Sequence, residues 1–248
     1  MHQQLKQAAA DGAALGAWMF LREPLISETA SKAGYDYVTI DLQHGLSGFE
    51  QIDAHLQAIG LGGATPVVRV PWNEPWMIGR ALDAGALGVI VPMVNSPEEA
   101  ERAVAACRYA PTGARSIGPI GAMTRHQGYF RSANADVMCI VMIETMQAVE
   151  RIDDILAVPG IDAVYVGPAD LSLTMGLPPS SDQQDQRFHD ALATVVASCE
   201  RHGVIPGIHA TAALAAARRE AGFRMITVAF DHAPIAAALT ADLERARG

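Results

Sequence analysis

Lysine occurs only twice in 248 residues, at Lys6 and Lys32, and cysteine only three times, at Cys107, Cys139 and Cys199. The cysteines lie far apart and none forms a CxxC pair, which excludes a zinc-knuckle spacing and a disulfide framework. Buried thiols in a reducing cytoplasm are the expectation for them. Basic runs are missing too. With a formal net charge of −9, the chain is not built to grip nucleic acid or an anionic membrane, since both reward clustered Lys and Arg. No apolar run reaches the roughly 18 residues that a bilayer-crossing helix needs. The opening stretch MHQQLKQAAADGAALGAWMF is interrupted by Asp11 and two glycines and lacks the pattern of a secretory signal. Neither GxGxxG nor a Walker-type GxxxxGK(S/T) follows the first candidate strand, which argues against a nucleotide cofactor. No GxSxG or HExxH supports a serine hydrolase or a zinc protease.

Half of the residues are apolar and 18% are charged, so the chain can bury a large core, and its length suits one α/β barrel or two small domains. Eight short apolar runs read as strands: LGAWMF (15–20), YVTID (37–41), PVVRV (66–70), GVIVPM (88–93), CIVMIE (139–144), AVYVG (163–167), VIPGIH (204–209) and MITVAF (225–230). Their near-continuous hydrophobicity suits parallel strands covered on both faces. Helical stretches lie between them. SPEEAERAVAACRYA offers Ser96 as N-cap and Pro97 at the first helical position. TAALAAARREAG offers Thr211 as a cap and Gly222 as a stop. A helix–Gly–strand join recurs at Gly34, Gly85, Gly160 and Gly222. Regular alternation of this kind favours a single (β/α)8 barrel over a doubly wound sheet. Two segments exceed ordinary connections: 111–137, rich in Gly, Ser and Asn with three arginines, and 172–186, with a Pro pair. The first is expected at the end of the barrel opposite the chemistry unless it folds back, the second over the catalytic face.

Chemistry on a barrel gathers at the C-terminal ends of strands. Those ends carry Asp41, His44, Arg69, Glu144 and Asp170, and ionisable groups converging there need a reason. Glu144 and Asp170, from neighbouring strands, would repel unless a proton or cation lay between them. Mg²⁺, Mn²⁺ or Co²⁺ would suit two such oxygen ligands; pairing with an arginine, or helix capping by Asp170, is the structural alternative. Arg69, within an apolar strand, wants a carboxylate from the protein or from a substrate, and Asp83 is the protein candidate. His44 has the chemistry of a general base, and Asp41, three residues earlier, could orient its ring. Other histidines are read as structural, although His209 and His232 follow strands and remain pocket candidates.

The segments DLQHG, VVRVPW, RALDAGALGVIVPMV, VMIET and GIDAVYVGPADLSLTMG, in this order, resemble the HpcH/HpaI aldolase family, the class II metal-dependent pyruvate aldolases. The resemblance runs from about residue 12 to the end, within one (β/α)8 domain over residues 1–248. It implies reversible retro-aldol cleavage of a 4-hydroxy-2-oxo acid to an aldehyde and pyruvate, or an analogue such as hydroxypyruvate. Carried across, His44 is the base, Asp83 the acid that raises its basicity, and Arg69 the group that stabilises the enolate. Glu144 and Asp170 hold a divalent metal ion, and the backbone around Gly167 and Ala169 receives the substrate carboxylate. Met142 stands where many members have a substrate-contacting Gln. With only Lys6 and Lys32 available, a Schiff-base mechanism is disfavoured. The resemblance also implies a homo-oligomer, trimer or hexamer, exchanging the C-terminal helix APIAAALTADLERA (233–246), with 111–137 near a neighbour. Rival readings on the same barrel are an enolate-forming decarboxylase, an acyl-CoA lyase of the citryl/malyl-CoA kind, and a non-catalytic oxo-acid-binding barrel.

Overall fold

β-branched and aliphatic runs become eight parallel strands: β1 Ala14–Met19, β2 Tyr37–Asp41, β3 Thr65–Arg69, β4 Gly88–Val91, β5 Met138–Ile143, β6 Ala163–Val166, β7 Ile205–His209 and β8 Met225–Phe230. In the computed structural model, which describes residues 2–248, they close in sequence order into a barrel, β8 pairing with β1. The runs at 37–41 and 225–230 match β2 and β8 end to end. β4 stops two residues short of the expected 93 because Pro92 has no N–H for the ladder.

Side chains alternate between two cores. Trp18, Tyr37, Val67, Ile90, Ile140 and Tyr165 fill the barrel, while Val38, Ile40, Val68, Val89 and Val141 face the outer helices. Leu5 and Ala9 of the first helix, His2–Asp11, join the interior set and plug the barrel. The plug sits at the strand-start end, where Asp162, just before β6, binds Lys6 at 2.6 Å and Arg108 at 2.8 Å.

The anticipated helix signals hold in part. Ser96 caps the Pro97–Cys107 helix, its hydroxyl accepting from Glu99 N–H at 3.3 Å. Gly85 ends the Pro75–Ala84 helix with φ +112°, a conformation that lets its N–H return to the last carbonyls. Gly34, Gly160 and Gly222 make the same left-handed turn. Thr211 precedes a short 3₁₀ turn, Ala212–Leu214, but its hydroxyl makes no cap bond.

Segment 111–137 is not a plain loop. It folds into two helices, Ile120–Arg125 and Tyr129–Asp136, tied down by long-range arginine contacts. Arg115 binds Asp83 at 2.7 Å and the Tyr129 hydroxyl at 2.8 Å, and Arg125 binds Asp53 at 2.6 Å. The segment leaves Ile117, Ile120, Met123 and Phe130 exposed. The last helix, His232–Arg247, buries no residue against its own barrel.

Candidate active site

The last residues of β2 and β3 are register partners, Asp41 opposite Arg69, and both are buried. Arg69 grips Asp41 with two donors, Nε to Oδ1 at 2.9 Å and Nη2 to Oδ2. Trp18 Nε1 adds a bond to Oδ2 at 3.2 Å, and its ring lies 5.0 Å from the guanidinium carbon. Burial alone would raise the Asp41 pKa, but the Arg69 bonds and charge, with Trp18 and the His44 N–H, hold it below the usual range. Asp41 is therefore the partner that Arg69 needs; the expected Asp83 is not. Nor does Asp41 orient the His44 ring. Its Oδ1 accepts from the backbone N–H groups of Gln43 and His44 at 3.0 and 3.2 Å, shaping the loop rather than touching the imidazole. Gly45 completes that turn, since a Cβ there would lie 2.1 Å from the Asp41 carbonyl oxygen.

Two donors of Arg69 are used by Asp41, and Nη1 has no hydrogen bond to any described residue. It is left for a ligand in the cleft that Arg69 lines. That cleft, about 210 Å³, is bordered by Phe20, His44, Arg69, Met142, Gly167, Pro168, Ala169, Asp170, Ser181 and His209. Larger grooves lie among the outer helices, one of about 480 Å³ lined by Asp83, Arg102 and Arg115, but His44, Arg69 and Asp170 do not line it.

Glu144 follows β5 and is 2% exposed. Met93 N–H donates to its Oε1 at 2.8 Å; Oε2 has no donor among the described residues. Burial, reinforced by the charge of Asp170, pushes its pKa up to about 7, against the Met93 bond and the Arg69 charge. Asp170 lies in the first turn of the Pro168–Thr174 helix, at the cleft surface. Gly167 lets the end of β6 pass this carboxylate, because a Cβ would sit 2.6 Å from Glu144 Oε2. Two oxygen-bearing groups held together at a cost in charge repulsion fit a divalent cation. Among the described residues no trio of His, Cys, Asp or Glu is grouped to hold a metal, and Glu144 and Asp170 are the two carboxylates this site could offer one.

Asp83 stands apart. The Pro75–Ala84 helix runs back from the end of β3 towards the strand starts, and its ninth residue, Asp83, reaches the end held by Arg115. The expected pairing with His44 is not made within the chain. Sequence reasoning also missed Phe20, Ser181 and Met93. Phe20 follows β1 directly and was accessible to the strand-end rule. Met93 carried no signal: it is a non-glycine residue at φ +55°, and this conformation accompanies the N–H bond to Glu144.

His209 ends β7 edge-on to Trp18 at 4.9 Å and tilted on Phe230 at 4.6 Å. Burial and the Arg69 charge, opposed by Asp41, pull its pKa from 6.5 down to about 4. The unfolded chain binds this proton more tightly, so the stability conferred by the neutral ring is complete above about pH 6.5 and is lost as pH falls towards 4. The loss is at most about 3 kcal/mol, less what cleft water screens. Between about pH 7.5 and about pH 5, the urea midpoint of the wild type falls further than that of His209→Gln; equal falls would contradict the assignment.

A family model for HpcH/HpaI aldolase/citrate lyase matches residues 14–238. A hydroxypyruvate/pyruvate aldolase of Rhizorhabdus wittichii is 40% identical over 227 residues, 91% of this chain and 90% of the relative. A 4-hydroxy-2-oxo-heptane-1,7-dioate aldolase of Salmonella heidelberg is 37% identical over 223 residues, 88% of this chain and 84% of the relative. The crystal structure of an HpcH/HpaI aldolase/citrate lyase family protein from Burkholderia cenocepacia superposes with a TM-score of 0.91 at 33% identity, covering 100% of both chains. With the same barrel from end to end and sequence identity across nearly all of it, the chain belongs to the HpcH/HpaI aldolase/citrate lyase family.

Proposed function

We propose that residues 1–248 form one class II, divalent-metal-dependent aldolase domain. It cleaves a 4-hydroxy-2-oxo acid reversibly to an aldehyde and pyruvate, or a close analogue such as hydroxypyruvate. One observation carries the reading: a free guanidinium edge, an imidazole and the Asp170 carboxylate line one strand-end cleft, and the buried Glu144 carboxyl lies behind Gly167 within reach of the Asp170 charge. Glu144 and Asp170 would hold Mg²⁺, Mn²⁺ or Co²⁺, leaving room for water and a chelating substrate. When bound, the ion supplies Lewis-acid polarisation of the 2-oxo group.

The chain's own residues do the rest. Nη1 of Arg69 is a fixed, positively charged donor for the oxygen on which charge develops, and Asp41 and Trp18 hold it in place beforehand. His44, through one water, takes the proton of the 4-hydroxyl as the bond between C3 and C4 breaks. C4 leaves as the aldehyde carbon, and the bonding pair passes into the pyruvate enolate. In synthesis His44 removes a proton from the pyruvate methyl group. The backbone of Gly167 and Ala169 receives the substrate carboxylate. Met142, 2% exposed, offers no amide for a substrate hydroxyl, which bears on the choice between oxo acids. Neither lysine lines the cleft: Lys6 binds Asp162 at the far end and Lys32 binds Glu28 on an outer helix. This supports a reaction without a Schiff base.

Metal-stripped protein given a small aldehyde with pyruvate or hydroxypyruvate should form a 4-hydroxy-2-oxo acid, detected by mass spectrometry, only after Mg²⁺ or Mn²⁺ is added. Equal product in excess chelator would contradict the reading.

A closed homo-oligomer, trimer or hexamer, completes the proposal. The His232–Arg247 helix has its large apolar residues Ile235, Leu239 and Leu243 four apart on one face, all exposed on the single chain. Leu239→Asp with Leu243→Asp should lower the sedimenting mass while the circular dichroism of the barrel persists; an unchanged mass would count against helix exchange. No helix of the described residues is long and apolar enough to cross a membrane. The three free, buried cysteines support a cytoplasmic location.

A further inference from the structure

His55 is fully buried on the Ile52–Gly60 helix, where an aliphatic residue would pack at no polar cost. Both ring nitrogens are bonded. Nδ1 lies 2.8 Å from Ser27 Oγ, on the helix after β1, and Nε2 lies 3.2 Å from Ser47 Oγ, three residues beyond His44. The Ser47 hydroxyl proton is directed to the Leu21 carbonyl at 3.4 Å, so its oxygen accepts from Nε2–H and Nδ1 accepts from Ser27. Burial keeps the ring neutral against the negative charges of Asp231 and Glu23, so one ring nitrogen donates and the other accepts.

The loop so held is short and doubly anchored. On one side of His44, Asp41 takes the N–H groups of Gln43 and His44. On the other, Leu46 N–H bonds Phe20 O at 2.7 Å and Ser47 meets Leu21 and His55. Phe20 and Leu21 are themselves fixed by Asp231 Oδ2, which accepts their N–H groups at 3.0 and 2.8 Å. Of this network, only the Ser47 contact to His55 ties the loop directly to the helix that follows it.

We propose that His55 is a positioning residue: through its Nε2–H bond to Ser47 it sets the loop that carries His44 over the cleft. The proposal rests on the reading of His44 as the base. A base displaced by about 1 Å loses rate steeply while substrate binding, made elsewhere, changes little.

The ring can be replaced by halves. Gln extends an amide nitrogen to the position of Nε2, whereas Asn carries an amide oxygen to that of Nδ1. His55→Gln should keep most of kcat for retro-aldol cleavage, because the Ser47 bond survives. His55→Asn and Ser47→Ala should lose kcat by one to two orders of magnitude, roughly, with KM little changed. Both His55 variants should lower Tm by similar amounts, and Ser47→Ala keeps the test open should either fail to fold. In a His44→Ala background, Ser47→Ala should cost nothing further.

Equal kcat losses in the Gln and Asn variants, following Tm, would overturn the proposal and make His55 merely structural. So would the same Ser47→Ala penalty with and without His44. Full activity in His44→Ala would instead remove the base reading on which the proposal stands. Loss in His44→Ala with no loss in Ser47→Ala would leave that reading intact and refute the positioning role alone.

Discussion

Glu144→Gln should abolish metal-dependent turnover, a loss of at least about 10³-fold, and should weaken Mn²⁺ binding measured by electron paramagnetic resonance without aldehyde or oxo acid present. The substitution preserves the shape of a side chain that is almost fully buried and removes only its charge. It also removes both causes that push the wild-type carboxyl up to about 7, the burial of a charge first and the repulsion with Asp170 second, so the variant fold should be as stable as the parent or more so. Loss of metal binding with an unharmed Tm separates a ligand from a structural acid. Unchanged Mn²⁺ affinity would remove Glu144 from the ligand set.

Arg69→Ala should fail twice over. Its Nη1 donor to the developing negative charge disappears, costing roughly 10²- to 10³-fold in kcat. Asp41, with no side-chain exposure, is left buried with Trp18 and two backbone N–H groups but no cation. Breaking a buried pair from one side costs on the order of 3–5 kcal/mol, so urea unfolding should show a marked drop in midpoint. Arg69→Met combined with Asp41→Leu removes both charges, and much of that stability should return while activity does not. A single Arg69→Ala variant that folds as well as the parent would mean that the Asp41 pair contributes little to stability. A variant that turns over normally would remove Arg69 from the mechanism.

The barrel was legible because parallel strands covered on both faces leave a local trace, as YVTID and MITVAF do. The strand-end rule then supplied His44, Arg69, Glu144 and Asp170 from position alone. Pairings were not legible. Asp41 and Arg69 are 28 residues apart, and only the β2–β3 register makes them neighbours, so a sequence reader couples Asp41 to nearby His44 instead. Asp83 is the converse case: its helix carries it back towards the strand starts, where within the chain it pairs with Arg115 and not with Arg69. The helices within 111–137 escaped because they are short, have no side-chain caps and depend on Arg115 and Arg125 reaching distant carboxylates. Met93, which supports Glu144 through a left-handed backbone, could not be read at all, since its role lies in an N–H that every residue but proline possesses.

The most direct test of the account is exchange of the pyruvate methyl protons in D₂O, followed by NMR, on metal-stripped protein with and without added Mg²⁺ or Mn²⁺. The account predicts exchange that requires the ion, disappears in Glu144→Ala and is weakened in His44→Ala. Exchange absent with every metal, or undiminished by either substitution, would contradict it.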